Sequence, residues 1–330
     1  MAMRRSTLLF VLLLLVTAGL VLASTFLLIR VSAQAASVAR VKPGDAWTYH
    51  VMMIGKRIDS PFWREVYAGA SEAGAAGGAV IELVGPATDA DKKTAGEYLD
   101  YAIAARVDGI LAYIDDDPAT LASLEVAADR GIPVIALEND VTGGPRQSFV
   151  GVSSYELGKL LGNLIYEAVG PIGKAVVLHD AAGGRAAEKV MLASVQETVR
   201  TFPLLRVSGT AGDADGALGP EETLRRLMLD DAGLDAVATL NVEDTMRAAQ
   251  ALIDLNLGDR ISLIAFRESP EILEYVRKGI VRAVVAIDAT QMGRKAAGAL
   301  LEYLGTGHAN DYVITDMHVV TQFNVGGGGE

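Results

Sequence analysis

The sequence predicts an α/β protein made of two doubly wound, parallel-sheet halves. Short apolar runs of strand length alternate with helical patterns, which implies right-handed βαβ units. The alternation stops at Thr142-Gly143-Gly144-Pro145 and then starts again. Most of the strands end in polar loops, where open α/β sheets bind ligands.

The first unit sets the pattern. Tyr49–Ile54 is an apolar run of the kind a buried parallel strand requires. Lys56 to Asp59 form a polar loop, Ser60 is placed to cap a helix, and Pro61 sits at its first position. Phe62, Val66, Gly69 and Ala73 recur at helical spacing. The loop carries Lys56, Arg57, Asp59 and Ser60, with Phe62 and Trp63 just inside the helix. Such a loop suits a small polar molecule with a flat apolar face.

Further strands are expected at Ala79–Val84, Gly109–Ile114 and Pro133–Leu137, with helices over Asp91–Ala105 and from Pro118 to about Arg130. Ser148–Val152 is extended, and Ser154 is placed to cap the next helix. In the second half, strands are expected at Lys174–Leu178, Arg206–Gly209, Ala236–Leu240, Ser262–Ala265 and Arg282–Ile287. The helices between them run over Arg185–Thr201, Pro220–Asp230, Val242–Asn256, Pro270–Lys278 and Ala289–Leu304. Tyr312–Phe323 has strand character, and residues 324–330 read as a flexible tail.

Composition narrows the function. Three of the 29 Lys and Arg lie in the first thirty residues, which hold no acid. The remainder sets 26 basic residues against 41 acidic ones, a net charge of −15, and such a body repels nucleic acid. The absence of cysteine excludes disulfides, thiolate metal sites and cysteine nucleophiles. Thr7–Ile29 is uncharged and almost wholly apolar, long enough to cross a bilayer, and follows Arg4 and Arg5. Residues 1–30 therefore read as a signal anchor or a signal peptide. The length favours a retained anchor, and Ala33-Gln34-Ala35 leaves cleavage open. Residues 31–47 read as a tether.

From about Thr48 to Phe323 the chain resembles the periplasmic sugar-binding proteins of the ribose-binding type, which share a fold with lactose-repressor-type effector domains. The residues that carry the resemblance are Asp59-Ser60-Pro61-Phe62-Trp63, Val107-Asp108-Gly109-Ile110-Leu111 and Gly131-Ile132-Pro133-Val134-Ile135, then Phe149-Val150-Gly151 and Tyr155-Glu156-Leu157-Gly158. Asn241, Ala265-Phe266 and Gln291-Met292-Gly293 complete the series. The resemblance implies the type I periplasmic binding protein fold: two lobes joined by three crossovers, near Ser148–Ser153, Ile287–Asp288 and Thr315. It implies an N-terminal lobe of 48–150 plus 288–314 and a C-terminal lobe of 151–287 plus 315–323. The ligand would be buried between them. Pentose binders of this type often carry Asp-Arg where this chain has Glu138-Asn139. They carry Asp where it has Arg267, and Arg near Glu188. Plain ribose is therefore not the expected ligand.

A sugar needs planar polar side chains for its hydroxyls and aromatic faces for its C–H surface. The polar candidates are Lys56, Arg57, Ser60, Asp115, Glu138, Asn139, Arg185, Glu188, Asn241, Arg267 and Asp288; Phe62, Trp63 and Tyr113 are the stacking candidates. Several have structural alternatives: packing for Trp63, a helix cap for Asn241, and mutual pairing for Glu138 and Arg267. Lys56, Arg185 and Arg267 leave a carboxylate- or phosphate-bearing ligand open. Asp115-Asp116-Asp117 reads as a cap and solvated face rather than a calcium loop, and the four histidines show no metal spacing. No cofactor, metal or catalytic residue is implied, since nucleotide fingerprint, nucleophile elbow and metal cluster are all missing. Two partners fit such a protein: the permease of an ABC importer, or a membrane sensor such as a histidine kinase or chemoreceptor.

Overall fold

The computed structural model describes residues 47–88, 90–140, 144–179, 186–211, 225–229 and 233–326. The apolar leader and Arg185 lie outside these residues. Among the described residues, no helix is long and apolar enough to cross a membrane.

The strands are β1 (Tyr49–Ile54), β2 (Ala79–Val84), β3 (Gly109–Tyr113), β4 (Val134–Leu137), β5 (Ser148–Gly151), β6 (Ile172–His179), β7 (Leu204–Ala211), β8 (Ala236–Thr239), β9 (Ser262–Phe266), β10 (Val281–Ile287), β11 (Tyr312–Ile314) and β12 (Met317–Thr321). The helices are α1 (Pro61–Ala76), α2 (Ala95–Ala105), α3 (Pro118–Asp129), α4 (Ser154–Val169), α5 (Ala186–Val199), α6 (Val242–Asp254), α7 (Pro270–Arg277) and α8 (Ala289–Thr306). Residues 225–229 are helical within the stretch expected from Pro220.

The strands form two sheets, ordered β11-β5-β4-β3-β1-β2 and β12-β10-β9-β8-β6-β7. Apart from its outer strand, each follows the same doubly wound order, and each reverses direction beside its first strand. All pairings are parallel except β10 with β12. β3, β4 and β8 are buried along their whole length, so they read as continuous apolar runs rather than alternating ones.

The chain passes between the sheets three times. After β5 it enters α4, which packs on the second sheet; after β10 it enters α8, which packs on α1 and the first sheet. The closing segment splits at residues 315 and 316, with β11 parallel to β5 and β12 antiparallel to β10. The strand character of Tyr312–Phe323 thus takes the form of two short strands on either side of the crossover expected near Thr315.

Local chemistry sets the ends of the elements. Ser60 accepts from the Trp63 amide at 3.3 Å, and Pro61 opens α1. The helix expected from Asp91 begins only at Ala95. Thr94 and Glu97 close a capping box there, and Asp91 instead accepts the Tyr98 hydroxyl at 2.7 Å. Asp117 caps α3 by accepting from the amides of Ala119 and Thr120, the role expected of the acidic run.

Candidate functional site

The carboxyl ends of both sheets face a common crevice. Glu138 follows β4 and Arg267 follows β9, one from each lobe. Their side chains meet across the crevice, with Arg267 Nη2 2.6 Å from Glu138 Oε1. Both residues have left-handed backbones, with φ of 66° and 79°. Among the described residues only Arg106 and Asn256 share this feature outside glycine, and both lie at helix ends. Glu138 and Arg267 instead follow strands, and each conformation costs on the order of 1–3 kcal/mol. Backbone hydrogen bonds hold them, from Glu138 N to Val150 O and from Arg267 N to Val285 O, both at 2.9 Å. The Arg267 guanidinium lies 5.0 Å from the Phe62 ring and 5.4 Å from the Phe266 ring, a cation between two aromatic faces. Glu138 Oε2 is buried without a hydrogen-bond partner.

Arg267 lines two cavities. The larger, about 400 Å³, is lined by Glu138, Asn139, Glu188 and Arg267 and by apolar side chains such as Tyr155 and Tyr312. The smaller, about 150 Å³, is lined by Phe62, Glu65, Arg267 and Glu268 among others.

The other expected site residues are more committed than the sequence implied. Trp63 and Tyr113 are 3% and 1% exposed and pack edge-on against each other at 6.2 Å, so their rings serve as the wall of the first lobe. Phe62 is left as the half-buried aromatic beside the crevice, and Lys56 lies over Tyr113 at 5.2 Å. Arg57 grips Asp59 through two bonds of 2.9 and 3.1 Å, which holds the Asp59 carboxyl below its usual range. Ser60 donates to Arg57 O. Asn139 donates to Ile114 O at 2.6 Å. Asn241 accepts from the Asp244 amide and donates to its carboxylate, both at 2.7 Å, so the cap competing with its ligand role is formed. Asp288 caps α8 through the Gln291 amide at 2.7 Å and is exposed. Asp115 is half-buried beside the Asp117 cap. Neither cavity is lined by Lys56, Arg57, Ser60, Trp63, Tyr113, Asp115, Asn241 or Asp288.

Residues 51–308 match the periplasmic binding protein domain. The chain belongs to that family. No curated protein sequence matches it. Among solved structures it is similar to GanP, a glucose-galactose binding protein from Geobacillus stearothermophilus, at 21% identity and a TM-score of 0.75, covering 84% of this chain and 98% of that one. It is also similar to an ABC transporter solute-binding protein from Agrobacterium vitis bound with α-D-tagatopyranose, at 20% identity and a TM-score of 0.76, covering 85% and 97%. A third is the XylFII–LytSN complex, at 23% identity and a TM-score of 0.71, covering 83% and 98%. At these identities the likeness establishes the shared fold.

This periplasmic binding protein carries further charged groups at the crevice that the sequence did not flag, among them Glu268. Burial pushes the Glu268 carboxyl up; the positive field of His318 opposes the shift and the negative field of Glu65 adds to it. A carboxyl whose folded pKa is raised holds its proton better folded than unfolded, so its contribution to stability falls as pH rises from the unfolded value. Glu268→Gln is therefore expected to raise Tm near pH 7 and to leave it unchanged near pH 4, as read by thermal melts at the two pH values.

Proposed function

We propose that this chain is an extracytoplasmic solute-binding protein. It traps a sugar or sugar-like polar molecule between its lobes and delivers it to an ABC importer. The observation that carries this reading is the crevice between the two sheets, lined from both and spanned by Glu138 and Arg267. The lobes are proposed as residues 48–150 plus 288–314 and 151–287 plus 315–323. Closing them on a ligand changes the outer surface that a permease reads. The two structures described above as a sugar-binding protein and a sugar-bound ABC transporter component support import. Binding rather than catalysis is the activity, and the acidic body makes nucleic acid an unsuitable partner.

A second reading is a membrane-anchored sensor that passes lobe closure to a histidine kinase or chemoreceptor. The apolar stretch Thr7–Ile29 and the likeness to the XylFII–LytSN complex favour it. N-terminal sequencing of the protein isolated from its host separates the readings: a retained leader supports the sensor and a cleaved one the importer.

Binding itself is tested by thermal shift of the full chain in mild detergent against sugars, polyols and sugar acids. A ligand at a hundred times its Kd stabilises by about 2.7 kcal/mol, so Tm should rise with its concentration. Flat melts across every class would refute the proposal.

A further inference from the structure

We infer that the larger interlobe cavity takes a sugar-like ligand bearing an apolar substituent, such as an aryl or alkyl glycoside, rather than a bare polyol. This rests on the solute-binding reading and names its ligand class.

Several polar groups lining the cavity are engaged already. The Asn139 amide donates to Ile114 O, and Asp140 receives the Arg146 guanidinium. The Ser153 hydroxyl accepts from the Glu156 amide. Arg267 is neutralised by Glu138. Glu138 Oε2 is a buried acceptor without a hydrogen-bond partner, and Glu188 adds a second carboxylate to the lining. Glu138 Oε2 suits a hydroxyl donor, but a free hexose would also bury hydroxyls against the apolar side chains that make up most of the lining. Each unmatched hydroxyl loses its hydrogen bonds to water without replacement, which weakens binding.

The rest of the lining points the same way. Tyr155, Val190, Tyr312 and Ile314 are large apolar residues between 44% and 58% exposed, and all four line this one cavity. Leu157 and Met191 continue the surface inward. Exposed apolar side chains gathered at one concavity mark a ligand surface. At about 400 Å³ the cavity falls within the size range of small-molecule pockets. The sugar hydroxyls would meet Glu138, and the substituent would lie along Tyr155, Val190 and Ile314. An anionic sugar is disfavoured, because it would have to displace Glu138 from Arg267 and leave a buried carboxylate uncompensated.

The test is titration calorimetry on the full chain with glucose, galactose, arabinose and xylose, each paired with its p-nitrophenyl glycoside. At least one glycoside should bind about tenfold tighter than its parent sugar, the gain from burying about 60 Å² of apolar surface. Val190→Asp, at an exposed position, should remove that advantage. If every parent sugar binds as tightly as its glycoside, the inference fails and the solute-binding reading stands. If Val190→Asp weakens parent and glycoside equally, the apolar wall does not read the substituent, and the inference fails too. If no member of the panel binds, the inference fails, and the solute-binding reading is decided by the thermal-shift screen.

Discussion

Arg267→Ala is expected to abolish ligand binding and to destabilise the protein by about 3 kcal/mol, because breaking a largely buried pair strands its partner's charge. Glu138 is the stranded group, with a side chain only 12% exposed and one oxygen already unpartnered. The Phe62 and Phe266 rings would lose their shared cation as well. Replacing both partners, as Glu138→Leu with Arg267→Met, should recover most of the stability and none of the binding. Arg267→Gly separates a further component. Glycine accepts φ of 79° without strain, so it should be less destabilising than alanine by about 1 kcal/mol. Urea unfolding of the three variants beside the native chain measures these differences, and calorimetry with a ligand found by thermal shift measures binding. An Arg267→Ala protein with unchanged midpoint and affinity would remove the bridge from the site.

The alternation of elements was legible because parallel strands buried on both faces read as unbroken apolar runs, and because caps are local. Ser60, Pro61 and Asp117 declare helix starts within four residues of themselves. The late start of α2 was not legible, since Asp91 serves Tyr98, seven residues on, rather than a helix end.

The site was legible only as a set of strand-end loops. A polar residue after a strand can cap the next helix or hold a ligand, and both tasks favour the same residue types. Asn241 and Asp288 perform the first task within their own helices, which no spacing rule could have decided. The pairing of Glu138 with Arg267 was one of the two readings that their strand-end positions left open; the left-handed backbones that aim the two side chains leave no mark in sequence. The apolar lining was hidden differently. Tyr155 and Val190 lie on helices, and Tyr312 and Ile314 on an outer strand, where apolar residues read as core.

Gly293→Ala is expected to cost at least about 3 kcal/mol, at or beyond the upper end of ordinary overpacking. A Cβ at Gly293 would fall on the Val66 carbonyl oxygen, and one at Gly69 on the Thr290 carbonyl oxygen. Each glycine of the α1–α8 crossing therefore faces the other helix's backbone, which cannot rotate aside as a side chain would. The second lobe repeats the device, since a Cβ at Gly158 in α4 would meet the Met191 carbonyl of α5. Gly298→Ala supplies the contrast: the position is exposed on α8 with no atom in reach, so helix propensity should make it neutral or stabilising by up to about 1 kcal/mol. Chemical denaturation of Gly293→Ala, Gly69→Ala and Gly298→Ala reads all three, and equal midpoints would mean that the crossing is not close-packed. The effect should reach the site as well. α8 follows β10 directly, and Ile287 and Met292, on either side of that junction, both line the larger cavity. Pushing α8 away from α1 would move one wall of the crevice relative to the other, so Gly293→Ala should weaken ligand binding in the fraction that still folds, whereas Gly298→Ala should not.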